Sequence, residues 1–384
     1  MRFPEFSGEW ERKALSEFVD RVTRRNKGLK STRPLTISAQ FGLVDQTEFF
    51  KKSVAGADLS NYYLLSKGEF AYNKSYSDGY PLGAIKRLDR YDSGVLSSLY
   101  ICFAPKPYMS SDYLVQYFES TKWNQVVKDI SGEGARNHGL LNVPVTGFFE
   151  TQHYIPKRDE QEKLGAFLTL IEKRIATQSK IIEELTTLRS ALLEKVFQVS
   201  NPTLEVGALA QQTSERNKLC RYSNVLSVSN RFGFINQSEQ FEDRNVASDD
   251  VRNYKVVHRG DFAYNPARIN VGSIAMLKNF ESGIVSPMYI CFQVDDTIVD
   301  PSFFELFLET KAFKDEMEIR LEGSVRRCLS FEALCEIHLP LPALLVQRSI
   351  SDKIGNISSK IKLEDRILRA YIRQKEWLLK QMFI

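Results

Sequence analysis

The chain has 384 residues, 43% of them hydrophobic and 26% charged, with a formal net charge of +4. That length allows two or three globular domains, and no apolar run is long enough to cross a bilayer. The first residues, MRFPEFSGEW, lack the apolar core of a signal peptide, so a cytoplasmic protein is expected.

The five cysteines form no C-x-x-C pair and their count is odd, which argues against a disulfide framework or a zinc site. Four histidines, His138, His153, His258 and His338, are scattered and point to no metal centre.

In chain order, the first informative segment is Arg24–Arg33, RRNKGLKSTR, with five basic residues and no acid. A single run of this kind ordinarily reads as a solvated loop. Leu35-Thr36-Ile37-Ser38 alternates as a strand does. Asn61–Asn73 reads NYYLLSKGEFAYN and Tyr100–Phe103 reads YICF. A helix is expected over Asp112–Val127. After Pro156 a proline-free stretch, about Asp159–Gln198, reads as one long helix.

The same phrases then return in the same order. Arg216, Lys218 and Arg221 stand where the first basic run stood. Leu226–Ser229 repeats the first strand, and Phe232-Gly233 repeats Phe41-Gly42. Asn253–Asn265 reads NYKVVHRGDFAYN, and YICF recurs at Tyr289–Phe292. Cys102 and Cys291 hold one place in the two YICF segments, as small buried apolar residues. A second short helix is expected over Ser302–Glu318 and, after Pro342, a second long one over about Leu345–Phe383. The chain is a tandem duplication, which presents two similar surfaces and suits a partner that itself has two similar parts.

The long helices carry matching seams. Leu164, Leu168, Ile171, Ile175, Ile182, Leu185, Leu192 and Val196 step by threes and fours, with gaps at Gln178 and Arg189. Ile350, Ile354, Ile357, Ile361, Leu368, Tyr371, Leu378 and Met382 do the same, with gaps at Glu364 and Lys375. This is a coiled-coil pattern. A helix of this length spans about 60 Å, and the nearest partner with the same pattern is the other copy. A pseudo-two-fold relation between the copies makes the helices antiparallel. An axis between Glu183 and Glu184 pairs Gln178 with Lys375, Arg189 with Glu364, Ile182 with Tyr371, Leu185 with Leu368, Ile175 with Leu378 and Leu192 with Ile361. That register lets the polar gaps meet each other.

The expected fold class is therefore α+β: two repeated mixed domains, residues 1–156 and 201–342, separated by two long helices, 157–200 and 343–384, that form an antiparallel coiled coil. Catalytic groupings are scarce. There is no phosphate-binding G-x-x-x-x-G-K-[ST] loop and no G-x-G-x-x-G fingerprint. Asn265-Pro266-Ala267-Arg268 lacks the aromatic of an amino-methyltransferase motif. Glu11-Arg12-Lys13 is a common tripeptide rather than a nuclease signature, and no Ser-His-Asp spacing is present.

The layout resembles the specificity subunit of type I restriction–modification systems over nearly the whole chain. The resemblance rests on the alternation of mixed domain and long helix. It also rests on the K/R-G-D/E-F-A-Y-N segments Lys67–Asn73 and Arg259–Asn265, the following Gly83 and Gly272, and the helix starts Pro156–Phe167 and Pro342–Ile354. One departure is Val346-Gln347, where the family has an acidic-Gln pair. The resemblance implies a chain with no cofactor of its own, whose two target recognition domains each read half of a split double-stranded DNA sequence. The helix pair would set the gap and dock two methyltransferase subunits that use S-adenosylmethionine, and restriction subunits could add ATP-driven cleavage.

Matching loops then supply the candidate DNA contacts: Lys27, Gln40, Lys74, Tyr76, Arg136 and Asn137 in the first copy, and Lys218, Arg231, Arg268, Asn270, Arg326 and Arg327 in the second. Arginine suits guanine, and Asn or Gln suits adenine. Tyr72, Asn73, Tyr264 and Asn265 repeat so closely that a structural role is expected. Competing readings are a stand-alone bipartite DNA-binding protein, an assembly scaffold built on the helix pair, and an enzyme with an unrecognised site.

Overall fold

The computed structural model describes residues 1–38, 41–50, 56, 58–76, 79–131, 141–198, 202–237, 250–323 and 327–384. The chain divides into two units, Met1–Lys180 with Asp365–Ile384, and Ile181–Glu364.

The first unit carries β1 (Glu11–Ala14), β2 (Val19–Arg21), β3 (Leu35–Ser38), β4 (Gly42–Asp45), β5 (Tyr63–Ser66), β6 (Phe70–Asn73), β7 (Ala84–Arg87), β8 (Ser93–Leu96), β9 (Ile101–Pro105) and β10 (Gln152–Ile155). An antiparallel sheet runs in the order β2-β9-β6-β7, and β1–β10, β3–β4 and β5–β8 form antiparallel pairs.

The second unit repeats this with β11 (Thr203–Glu205), β12 (Ala210–Thr213), β13 (Leu226–Ser229), β14 (Gly233–Asn236), β15 (Lys255–His258), β16 (Phe262–Tyr264), β17 (Ile274–Met276), β18 (Ser282–Val285), β19 (Ile290–Val294) and β20 (His338–Pro340). Its sheet order is β12-β19-β16-β17, with pairs β11–β20, β13–β14 and β15–β18.

The repeated phrases explain the repeated sheet. Side chains of a strand point alternately to its two faces. In Phe70-Ala71-Tyr72 and Ile101-Cys102-Phe103 the large residues enter an aromatic core, while Ala71 and Cys102 enter a second, smaller core beneath the hairpins. Phe262, Tyr264 and Phe292 divide from Ala263 and Cys291 in the same way. Phe70 stacks on Phe103 at 5.4 Å, and Phe262 on Phe292 at 5.2 Å. The small-residue face admits close packing. A Cβ on Gly94 would meet Leu35 at 2.4 Å, and one on Gly283 would meet Leu226 at 2.4 Å, so glycine is required where β3 and β13 cross their neighbours.

The two short helices are each broken in the middle. Asp112–Val127 is two helices, Ser111–Glu119 and Lys122–Ile130, and Ser302–Glu318 is Pro301–Glu309 and Lys311–Arg320. Ser120 and Thr310 turn their hydroxyls back to the carbonyls of Tyr117 and Phe307, ending the first helix of each pair. Thr310 also accepts from the Phe313 amide as the cap of the next helix.

The long helices run Arg158–Gln198 and Leu344–Met382. Each is anchored by a buried glutamine near its start. Gln161 accepts from the Ser110 amide and donates to the Pro156 carbonyl, both at 2.9 Å. Gln347 accepts from the Asp300 amide and donates to the Pro342 carbonyl, both at 2.8 Å. The sequence departure therefore spares this anchor. What the second copy lacks is the counterpart of Glu160, a buried carboxylate bonded to the Arg2 guanidinium at 2.6 and 2.7 Å and to the Trp10 indole at 3.3 Å. Val346, in its place, is half exposed.

Within each unit the two helices pack antiparallel. In the first, Leu164, Leu168 and Ile171 share a core with Leu378, Leu379, Met382 and Phe383. In the second, Leu193 and Phe197 share one with Ile354. The register differs from the one expected. Lys375 pairs with Glu172 at 2.7 Å rather than with Gln178, and Arg189 bonds Ser358 at 2.7 Å and Glu309 at 2.8 Å rather than Glu364. Both partners lie six residues from those expected. Glu364 is buried with Lys360 at 2.5 Å, and Tyr371 lies under the Arg174 guanidinium at 5.6 Å. Leu192 is exposed and Leu193 buried in its stead, while Ile175, Ile182, Leu185, Ile361 and Leu368 are half-buried. The helix ends explain the slip. Phe383 packs on Tyr113 and Tyr117 at 5.7 and 5.8 Å, and Phe197 on Phe303 at 4.8 Å. Domain packing at the ends fixes the register, and a seam of threes and fours tolerates the change.

Two stability outcomes follow. Gln347→Leu strands a part-buried amide and a part-buried carbonyl, and lowers unfolding stability by about 1–2 kcal/mol, measured by chemical denaturation. His153 is buried between the Tyr117 hydroxyl at 2.7 Å and the Thr151 hydroxyl at 2.8 Å, and burial lowers its pKa to about 4. The folded state thus binds this proton less readily than the unfolded state does. Stability is complete above the ordinary histidine range near 6.5 and falls as pH drops towards 4, by up to roughly 3 kcal/mol. Denaturation midpoints of wild type and His153→Gln across pH 4–8 measure this, and the variant shows the shallower slope.

Candidate nucleic-acid interface

The basic run is mostly consumed by the fold. Arg24 pairs with Glu69, Arg25 lies over the Tyr63 ring at 4.4 Å, and Arg33 lies over Tyr91 at 4.2 Å. Asn26, fully buried, donates to the Ser31 carbonyl at 2.8 Å and accepts from the Ser31 amide at 3.1 Å, closing the loop. Asn217 closes the second loop through Tyr222 at 2.8 and 3.2 Å. Each loop leaves one repeated cation at its exposed tip, Lys27 or Lys218.

Strand register brings these loops to one end of each unit. Tyr63 pairs with Leu96 at the end of β8, Tyr72 with Ile101 at the start of β9, and Asn73 with Ala84 at the start of β7. Pro34 bridges Val95 in parallel, so β3 ends there too. The β3–β4 tip, the β6–β7 connection and the β8–β9 turn therefore converge. In the second unit the pairings Lys255–Val285, Tyr264–Ile290 and Tyr264–Ile274 and the Val225–Ile284 bridge produce the same end.

At that end of the second unit the three turns enclose a cleft of about 270 Å³. Its walls include Ser229, Asn230, Asn265, Arg268, Ser286 and Met288, with Tyr254 and Tyr289 at its base. Among the described residues the lining holds an arginine and no carboxylate. Gln237 also faces it, and its carbonyl oxygen is buried without a hydrogen-bond partner among the described residues. Below the cleft the buried Lys255 ammonium donates to the Tyr289 carbonyl at 2.6 Å, and burial lowers its pKa. The hydroxyl of Tyr289 accepts from the Val228 amide at 3.4 Å, and in the first unit that of Tyr100 meets Thr36 at 3.3 Å. The ring thus ties the β8–β9 turn, or its counterpart, to the neighbouring hairpin.

Arg231 is exposed on the β13–β14 turn, and Arg268 and Asn270 are exposed not on a loop, as expected, but on a short 3-10 helix, Pro266–Val271, that forms the β16–β17 turn. In the first unit Tyr76 is exposed and Lys74 half-buried, its pKa lowered by burial. Lys27 and Lys218 sit on the adjoining loops. Arg327 is exposed but paired with the Glu318 carboxylate and carbonyl. Gln40, Arg136, Asn137 and Arg326 lie outside the described residues. Tyr72 and Tyr264 are buried and donate to the carbonyls of Leu82 and Leu329, at 2.7 and 3.2 Å. Asn73 and Asn265 accept from the amides of Ser75 and Ala267, at 3.0 and 3.1 Å, so both pairs shape the turns. The cleft residues Asn230, Ser286 and Met288 carried no sequence signal, because turn residues have no periodicity. Among the described residues there is no cluster of metal-ligating side chains and no helix long and apolar enough to cross a membrane.

No family model matches the chain. It is 24% identical over 184 residues to the type I restriction enzyme HindI specificity subunit of Haemophilus influenzae. The match spans 47% of this chain and 40% of that one, so the chain covers under half of its curated relative's length. Its fold matches the type I restriction–modification system S subunit from M. genitalium with a TM-score of 0.56, at 13% identity, over 100% of this chain and 99% of that one. A chain from a solved type I R-M system matches with a TM-score of 0.55, at 14% identity, over 98% and 97%. The chain therefore has the fold of the type I restriction–modification specificity subunit, and is similar in sequence to one of them over part of its length.

Proposed function

We propose that this chain is the DNA-specificity subunit of a type I restriction–modification complex. Residues 1–156 and 201–342 act as target recognition domains, each reading one half of a bipartite duplex target. The long helices set the unread gap and dock two methyltransferase subunits. The chain itself makes and breaks no bonds and holds no cofactor. Methyl transfer to adenine, and any cleavage, belong to companion subunits.

The observation that carries this reading is the convergent turn surface, built twice on one topology, with basic and amide side chains at its rim and, in the second unit, a cleft whose described lining holds no carboxylate. Cations set affinity and register on phosphates, while base edges set sequence. Lys27 and Lys218, on pinned loops beside the turns, suit phosphate contact. Arg268 and Asn270, on the turns, suit base edges. The two surfaces differ where the first has Tyr76 and the second Arg268, so the two half-sites should differ in sequence.

Mapping N6-methyladenine in cells that carry the system, with and without this chain, should show a split motif that depends on it. Exchanging residues 1–156 for those of a relative should change one half of the motif and keep the other. Loss of neither half overturns the assignment. Arg268→Ala should relax one position of the second half-site by about 1–3 kcal/mol of discrimination. Lys218→Ala should weaken binding evenly and reduce the salt slope by about 1. Selection from a random duplex pool and salt-dependent titration measure these.

A further inference from the structure

The β3–β4 and β13–β14 hairpins end in the same device. Ser38 accepts a hydrogen bond from the Phe41 amide at 3.1 Å, and Ser229 from the Phe232 amide at 3.4 Å. The next residue is a glycine in the left-handed region, Gly42 at φ +76° and Gly233 at φ +66°, where a side chain would be strained. The backbone is thus fixed on both sides of the phenylalanine, while the ring is left outside, 72% exposed at Phe41 and 64% at Phe232. Neither ring joins a core cluster among the described residues. The turn itself requires only the serine and the glycine, so nothing among the described residues explains an aromatic there, twice.

Resting on the specificity reading above, we propose that Phe41 and Phe232 are DNA-contact residues that press their rings against bases, one in each half-site. The hairpin tips stand at the end of each unit where the other turns converge. Beside Phe232 the tip itself supplies Arg231, whose guanidinium lies 5.2 Å from the ring, and the β16–β17 turn supplies Arg268. The described residues of the tip, 229–233, include no acid, which favours a polyanion over a basic or purely apolar protein surface. An aromatic ring can stack on any base, wedge between base steps or lie against a thymine methyl. It adds apolar contact that the arginines and asparagines of the same surface do not provide. One ring per unit also matches a target with two parts.

The test uses the full chain, alone and with a methyltransferase subunit, against duplexes enriched from a random-sequence pool. Phe41→Ala and Phe232→Ala should each weaken binding about tenfold and leave thermal unfolding unchanged, since the rings are outside the cores. In a Trp377→Phe background, Phe232→Trp places a reporter at the tip, and adding the enriched duplex should quench its emission. Wild-type affinity in both alanine variants and their double, with no quenching, overturns the proposal and leaves the specificity reading standing. Altered self-association in sedimentation with unchanged DNA affinity also overturns it, marking the tips as a protein interface. If the unmodified chain enriches no sequence in either form, the specificity reading falls and this proposal with it.

Discussion

The constraint on which each unit depends is the unequal dressing of the two faces of its central strands. Phe70-Ala71-Tyr72 and Phe262-Ala263-Tyr264 put rings on one face and a methyl group on the other. The ring face demands a thick layer of helices, because large aromatic surfaces must be covered on that side. The small face lets two antiparallel strand pairs approach closely, and Gly94 and Gly283 remove the last obstruction. The β3–β4 tip, and the β8–β9 turn that joins β8 to the central sheet, belong to these pairs, so the alternation of large and small residues also positions the surface.

Charge in this protein is divided between architecture and surface. Of the cations in the first basic run, Arg24, Arg25 and Arg33 engage Glu69, Tyr63 and Tyr91. Their role is to hold a loop whose tip is Lys27. The second run repeats the arrangement with Arg216, which donates to the Asn253 carbonyl, and Lys218. A net charge of +4 therefore does not tell which cations are spent on the fold and which stand open at the tips. The buried ions follow another rule. Glu160 is retained against Arg2 and Trp10, while the second copy replaces it with a half-exposed valine. The glutamine beside it is kept in both copies, because it satisfies backbone groups that either copy would otherwise bury unmet.

The long helices show how far a periodic pattern reaches. Their starts were legible to within a residue, because a proline precedes each and none interrupts it. The polar gaps were legible as well, but their partners were not. Matching gap to gap assumed that polar seam residues prefer each other across the pair. Arg189 instead reaches Ser358 and leaves the pair for Glu309, a side chain of a short domain helix that no seam analysis contains. The energy that sets the register sits at the ends, where Phe197 and Phe383 enter the domain cores. The two mid-domain helices were misjudged as single for a related reason. Ser120 and Thr310 are ordinary helix residues by pattern, and only their hydroxyl bonds to the preceding turn end the helix.

The sequence by itself determined the duplication, the strand alternation, the long helices and the place of Lys27 and Lys218 on loops. These follow from local order, since spacing and residue type act within a few positions of the chain. Only the tertiary structure decided which loops share an end, which cations are spent on carboxylates and rings, and which helix residues face each other. It alone set Phe41 and Phe232 outside their cores, although the repeat had already marked them as a pair. Those outcomes depend on contacts between segments tens of residues apart. Burial and partner choice are properties of the assembled surface, so no local pattern encodes them.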